Sequence, residues 1–308
     1  MIYTVTLNPS LDRTLHYTHL VLGAVNRATS ARTDLSGKGV NVSAALRSLG
    51  LTSTICACVG GATGRALAEG LRDQGYDTAL VNVTGETRSN VTVIDDATGV
   101  ATKLNEPGPA MSPAALAEME QLLLSRVAPG DWYVFSGSLP PGAPVDTYAR
   151  LIAVLHKRGA LTALDTSGEA LAWGCRAGPD LVKPNEYEAA ELLPSDATQD
   201  WVQRVAAIRA LGPQRVLLTR GAAGALWADA EGVWAGAAPA IHEVNNVGAG
   251  DAALGGAVYA LHAGKASPEC LRWALALGSA KAATDGTAMP ERETILHMLD
   301  KIAVRRLA

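Results

Sequence analysis

Short apolar runs of strand type alternate with segments of helical spacing along almost all of the 308-residue chain. Ile2 to Leu7 and Ser53 to Val59 read as strands, the second closed by Gly60-Gly61, and Leu67 and Leu71 then mark one face of a helix. Helical spacing returns over Pro113 to Val127 and over Val145 to His156, where Tyr148, Leu151, Ile152 and Leu155 form a single stripe. Between these helices, Trp132 to Phe135 reads as a buried strand. Strand signals recur at Leu161 to Leu164, Leu181-Val182 and Val216 to Thr219, and helical patterns fill 186–193, 200–211, 251–263, 268–284 and 292–302.

Strands that alternate with helices predict an α/β fold in which a mostly parallel sheet is covered on both faces. Ligands in such folds sit beyond the carboxyl ends of the strands. Polar and glycine-rich clusters fall at those ends: Asn8-Pro9-Ser10, Ser136-Gly137-Ser138, Asp165-Thr166-Ser167, Lys183-Pro184-Asn185 and Thr219-Arg220-Gly221. Two segments break the alternation. Residues of about 12–35 read as short extended pieces, and 88–105 as a hairpin around Asp95 to Gly99. They are expected to form a small β-sheet lid inserted in a single domain spanning 1–308.

Composition narrows the partners. The chain is 48% hydrophobic and 18% charged with a net charge of −4, which argues against a polyanion-binding surface and hence against nucleic acid. Phosphate recognition, if present, must be local. No run of about 18 apolar residues predicts a membrane span. The first residues lack a cationic stretch followed by an apolar run, so no signal peptide is predicted and a cytoplasmic setting is expected. Cys56, Cys58, Cys175 and Cys270 complete no zinc-ligand set and are expected to be buried thiols.

Two glycine clusters carry the chemistry. Gly248-Ala249-Gly250-Asp251 opens a helical pattern, which places free N–H groups and the positive end of the helix dipole where anionic oxygens can bind. Asp251 in that first turn can accept a proton from a hydroxyl, but it reads equally well as a helix cap. Gly37-Lys38-Gly39-Val40-Asn41 also opens a helix. It lacks the spacing of a Walker A loop and, on its own, reads equally as a glycine turn with a solvated lysine.

Together the two clusters resemble the paired signatures of the PfkB sugar kinases, within the ribokinase-like superfamily. Thr6 to Arg13, Gly85 to Arg88, Ser136 to Pro140, Val182 to Glu188 and Gly221 to Ala225 extend the resemblance over nearly the full chain. It implies a ribokinase-like three-layer αβα fold with a β-sheet lid, and transfer of the γ-phosphoryl group of ATP to a sugar hydroxyl. Asp251 would be the base, with Gly248, Ala249 and Gly250 stabilising the transferring group. Asp12 and Asn41 would bind sugar hydroxyls, with Gly37 and Gly39 against the sugar. Lys38, Arg88 and Ser138, with Lys103 across the hairpin from Arg88, would hold a phosphate already on the acceptor. Without the resemblance, Arg88 reads as an exposed strand arginine. Asn185 and Glu188 would organise Mg²⁺ and its waters, although Glu188 alone reads as a helix-surface carboxylate. Lys183 would reach the ATP phosphates, Thr219, Gly221 and Gly224 would underlie the nucleotide, and Gly278 would flank the adenine.

The opening Thr-Leu-Asn-Pro-Ser and the Gly-Glu-Thr-Arg segment resemble the phosphosugar branch of that family. Fructose 1-phosphate is the expected acceptor, with tagatose 6-phosphate and fructose 6-phosphate as alternatives. A non-catalytic sugar-phosphate sensor is a further alternative, disfavoured because Asp251, Asn185 and Glu188 are all present. Asn246 stands where the family usually has Thr or Ser, a change that bears on nucleotide fit or on a monovalent-cation site that some members have. Exposed lid sheets in such kinases often pair, so a homodimer through the lid is expected.

Overall fold

The alternation is realised as two sheets. The computed structural model describes residues 1–193, 200–241, 247–284, 286 and 288–308; Asn246 and the rest of 242–246 lie outside the described residues. The chain begins with β1 (Ile2–Thr6), β2 (Ser10–Tyr17), β3 (Ser30–Ser36), α1 (Lys38–Ser48), β4 (Thr54–Val59), α2 (Gly61–Asp73) and β5 (Asp77–Asn82). The hairpin of β6 (Arg88–Asp95) and β7 (Val100–Leu104) follows, then α3 (Pro113–Leu124), β8 (Trp132–Ser136), α4 (Thr147–His156), β9 (Leu161–Asp165) and α5 (Gly168–Arg176). Next come β10 (Leu181–Val182), α6 (Glu186–Leu192), α7 (Trp201–Ala210), β11 (Val216–Thr219), β12 (Ala225–Asp229) and β13 (Gly232–Gly236). The described elements end with α8 (Ala249–His262), α9 (Ser267–Ala282), α10 (Arg292–Asp300) and β14 (Val304–Arg306).

The large sheet has ten strands in the order β14-β13-β12-β11-β10-β9-β8-β1-β4-β5. From β5 to β11 every pairing is parallel, and the edge from β11 to β14 is antiparallel. Helices cover both faces, so β4 and β8 are buried along their whole length and read as unbroken apolar runs. On one face Met119, Tyr148, Ile152, Leu171 and Ile208 meet the sheet; on the other Leu46, Leu254, Val258, Leu271 and Ile295 do so. All four cysteines are buried, and burial pushes each thiol up to about 12, so none is a ready nucleophile.

The small sheet has the order β3-β2-β6-β7 and is drawn from the two segments that broke the alternation. Its β2 and β6 run parallel, with Ser10 beside Arg88 and Asp12 beside Asn90. Because side chains two apart share a face, these four polar residues present one surface. Within Gly85 to Arg88, the arginine lines a cavity. The Glu86 carboxylate accepts from the N–H groups of Ala62 and Thr63 at the start of α2, and Thr87 Oγ1 accepts from Gly60 N.

Candidate active site

The carboxyl ends of β9, β10 and β11, the starts of α1 and α8, and the polar face of the small sheet surround one cavity of about 1050 Å³. Asp12, Gly37, Lys38, Asn41, Arg88 and Lys103 line its small-sheet end. Lys183, Asn185, Glu188, Thr219, Gly221, Gly224 and Gly278 line the other end, and Gly248, Ala249, Gly250 and Asp251 lie between the two. Residues separated by more than 200 positions in the chain therefore share one space.

The start of α8 shows that Asp251 is not the helix cap. Gly248 is the N-cap, in the left-handed conformation with φ 77°, and among the described residues no side chain caps the helix. The first N–H groups of α8 thus remain available to an anion in the cavity. Asp251 is the third residue of the helix, within its first turn, and is not its cap. It is 6% exposed, and its Oδ2 accepts a hydrogen bond from Asn41 Nδ2 at 2.7 Å. Asn41 therefore orients the carboxylate, in addition to the sugar contact expected of it.

Charges of both signs converge here. Asp165, at the end of β9, is fully buried and lies 3.1 Å from Lys38 Nζ and 3.2 Å from Lys183 Nζ. Burial alone would raise the Asp165 carboxyl, but the two ammonium groups hold it below the usual range. Burial opposes the charge on Lys38, yet Asp165, Asp251 and Glu188 together raise its pKa. Asp251 is pushed up to about 6, first by burial and next by the Asp165 charge, against the pull of Lys38, the Asn41 hydrogen bond and Lys183. It is therefore ionised at neutral pH and is protonated as the pH falls through about 6.

If Asp251 is a base, kcat/KM is expected to fall on the acid side with a limb near pH 6, approaching about tenfold per unit at lower pH. The residual activity of an Asp251→Asn variant should lack that limb. A limb caused by titration of a substrate phosphate would persist in the variant, so the paired profiles separate the two origins.

Four of the expected residues are placed more narrowly than the sequence implied, and one of them, Gly39, is a correction. Gly39 does not face the cavity: its N–H donates to Thr6 Oγ1 at 3.0 Å, and a Cβ there would overlap that oxygen, so the glycine lets α1 approach β1. Ser138 lies in an adjoining hollow of about 610 Å³ with Asn8, Thr166 and Arg88, and Arg88 alone of the proposed phosphate ligands borders both spaces. Lys103 stands across from Thr92, four residues beyond Arg88, because the hairpin register is fixed by the turn after Asp95. Lys38 lines the cavity, pairs with Asp165 and feels the charges of Asp251 and Glu188 as well.

Asn185 and Glu188 form a capping box. Asn185 Oδ1 accepts from the N–H groups of Tyr187 and Glu188, and Glu188 Oε2 accepts from Asn185 N at 2.8 Å. Each still lines the cavity. Among the described residues no group of three or more His, Cys, Asp or Glu side chains could hold a metal ion. One carboxylate and one amide at the cavity wall, Glu188 and Asn185, would suit Mg²⁺, which needs few protein ligands and keeps several waters.

Sequence reasoning missed Asp165 and Asn90. Asp165 lies in a recognised polar cluster, but nothing local separates it from Thr166 or Ser167. Asn90 donates to Asp12 Oδ1 at 2.9 Å and to Ser10 Oγ at 3.1 Å. Its position two residues after Arg88 was the available signal.

A helix start without a side-chain cap, next to a buried carboxylate and two buried or half-buried lysines, suits transfer of an anionic group to a hydroxyl. The chain matches the family described as pfkB family carbohydrate kinase over residues 5–294. It belongs to that family. It is 36% identical to a 1-phosphofructokinase of Rhodobacter capsulatus over 310 residues, covering 99% of this chain and 98% of the relative. Phosphofructokinase-2 from Escherichia coli, solved in complex with potassium, superposes with a TM-score of 0.91 at 30% identity, covering 97% of this chain and 98% of that one. The ribokinase of Arabidopsis thaliana, solved with ribose and ATP, superposes with a TM-score of 0.75 at 24% identity, covering 97% and 98% of the two chains; it shares the fold. This PfkB kinase is thus a phosphotransferase of ribokinase-like fold. Among its described residues no helix is long and apolar enough to cross a membrane.

Proposed function

We propose that this PfkB kinase transfers the γ-phosphoryl group of ATP to fructose 1-phosphate, giving fructose 1,6-bisphosphate. The observation that carries the reading is Arg88. Its guanidinium is partly buried between the two hollows, donates only to the carbonyls of Asn8 and Glu106, and has no ion pair among the described residues. A cation so placed is matched by an acceptor that brings its own phosphate. The likeness to a 1-phosphofructokinase over the full chain supports fructose 1-phosphate in particular.

In this reading the polar face of the small sheet binds the sugar. Asp12, held by Ser10 and Asn90, accepts from its hydroxyls. Arg88 and Ser138 take the phosphate already present, and Lys103 adds charge at the rim. Asp251 receives the proton of the attacking hydroxyl, whose oxygen forms the new bond to phosphorus as the bond to ADP breaks. The N–H groups at the start of α8 and the ammonium groups of Lys38 and Lys183 stabilise the transferring group. Thr219, Gly221 and Gly224 lie beneath the nucleotide, with Gly278 beside the adenine. Glu188 and Asn185 would hold Mg²⁺, in part through water, and the metal when bound neutralises phosphate charge. The small sheet acts as a lid that excludes water, and its outer face is the proposed dimer contact.

Turnover with ATP and Mg²⁺ on fructose 1-phosphate, tagatose 6-phosphate and fructose 6-phosphate tests the acceptor. The highest kcat/KM is expected on fructose 1-phosphate. A higher value on either 6-phosphate would reassign it.

A further inference from the structure

In the proposed sugar site, Asp12 has only one oxygen left to offer. Its Oδ1 accepts twice, from Ser10 Oγ at 2.8 Å and from Asn90 Nδ2 at 2.9 Å. Among the described residues nothing donates to Oδ2, which is not buried where Asp12 lines the cavity. The Asn90 amide also donates to Ser10 Oγ at 3.1 Å, so Ser10, Asp12 and Asn90 close a triangle of hydrogen bonds. That triangle follows from the register of the small sheet, in which Ser10 stands beside Arg88 and Asp12 beside Asn90.

The partners of the Asn90 amide fix its orientation. A carboxylate only accepts, and the single proton of the Ser10 hydroxyl is already given to Asp12. Both partners therefore need a donor, and Nδ2 alone supplies one. The amide oxygen is thereby turned to a buried position where it accepts no hydrogen bond among the described residues. A buried acceptor left unmade is costly, and an apolar side chain of the same size would avoid that cost. The two N–H groups are what account for an asparagine here. The terminal torsion of an aspartate is broad, so an unheld Asp12 would sweep either oxygen across the sugar. Pinned by two donors, it holds Oδ2 in one place.

We propose that Asn90 determines sugar specificity: by pinning Asp12 Oδ1 it makes Oδ2 a single fixed acceptor that reads the configuration of one ring hydroxyl, at C3 or C4 of the ketohexose. Asn90 acts through Asp12 and is a positioning residue. The inference rests on the reading of the small sheet as the sugar site. Arg88 is level with Ser10, two residues before Asp12 on the same face, a separation of about 6.6 Å along the strand. A ketohexose phosphate with its phosphate at Arg88 and its attacking hydroxyl at Asp251 therefore passes Asp12 with its middle, where the C3 and C4 hydroxyls lie. This holds for a phosphate on C1 as for one on C6, so the inference does not depend on which of them is the acceptor. In fructose these two hydroxyls are on opposite faces of the ring. Inverting C4 gives tagatose and inverting C3 gives psicose, and either change brings them to one face. A fixed acceptor loses its hydroxyl in one of the two epimers, whereas a mobile one can follow it.

The test measures kcat/KM for the preferred fructose phosphate and for the matching phosphates of tagatose and psicose, in the parent and in Asn90→Leu. Leucine keeps the volume and removes both donors. The parent should favour fructose over at least one epimer by about tenfold or more, since a site built to bond a hydroxyl rejects an analogue that misplaces it. In Asn90→Leu that ratio should fall by about fivefold or more, chiefly through a higher KM for the fructose phosphate. A parent ratio below about tenfold for both epimers would overturn the proposal. So would a variant whose activity drops while its ratio falls by less than about fivefold, which marks support of the lid alone. Ser10→Ala removes the other donor to Asp12 and decides by the same ratio if Asn90→Leu does not fold. If free fructose is as good an acceptor as its phosphates, the proposed function fails, while the ratios among the free sugars still judge Asn90.

Discussion

Asp251→Asn is expected to lower kcat by about two to four orders of magnitude with little change in KM, as loss of a general base does. The amide keeps the shape and can still accept from Asn41 through its oxygen, so the geometry of the site should persist. Stability moves the other way. Burial holds the Asp251 carboxyl at about 6, above its ordinary value, so its ionised form opposes folding at neutral pH, and that opposition fades as pH falls through about 6. The neutral variant should therefore melt no lower than the parent at pH 7 or above. Steady-state kinetics and a melting curve on the same preparation check both halves. Near-normal turnover would remove Asp251 from the role of base.

Arg88→Met is expected to raise KM for a phosphosugar by about 10- to 100-fold, since hydrogen bonds to charged groups contribute about 1.5–3 kcal/mol. Methionine retains much of the buried stem while removing the cation. The pKa of Arg88 is lowered by burial, with Asp12 working in the opposite direction, so its surroundings already penalise the charge when no phosphate is present. The variant should accordingly not lose stability through the guanidinium, and its slow turnover of free fructose should be unaffected. Equal losses on both acceptors would show that Arg88 supports the lid rather than reading a phosphate.

Period and punctuation made much of the fold legible. Buried parallel strands such as β4 and β8 are continuous apolar runs, and the helices between them carry clear stripes. The antiparallel edge was not legible. β12 and β13 are short and rich in Ala and Gly, and their pairing rests on Trp227 against Trp234 rather than on alternation. At the site, the glycine turns at Gly37 and Gly248 were readable because glycine carries positive φ at both helix starts. The charge network was not. Asp165, Lys38 and Lys183 meet only because the parallel strands β9 and β10 end side by side and the start of α1 comes from a distant part of the chain to join them, and Gly39 resembles a ligand contact when its function is to let two backbones meet. Burial of Lys281 left no mark in the sequence, since α9 also carries Glu269 and Arg272, which remain partly exposed.

The central claim is transfer to an acceptor already carrying a phosphate, and kcat/KM for fructose 1-phosphate against free fructose under identical ATP and Mg²⁺ measures it most directly. The account predicts a ratio of about 100 or more in favour of the phosphosugar, the two-contact limit for a guanidinium on phosphate. An equal or higher value on free fructose would contradict it.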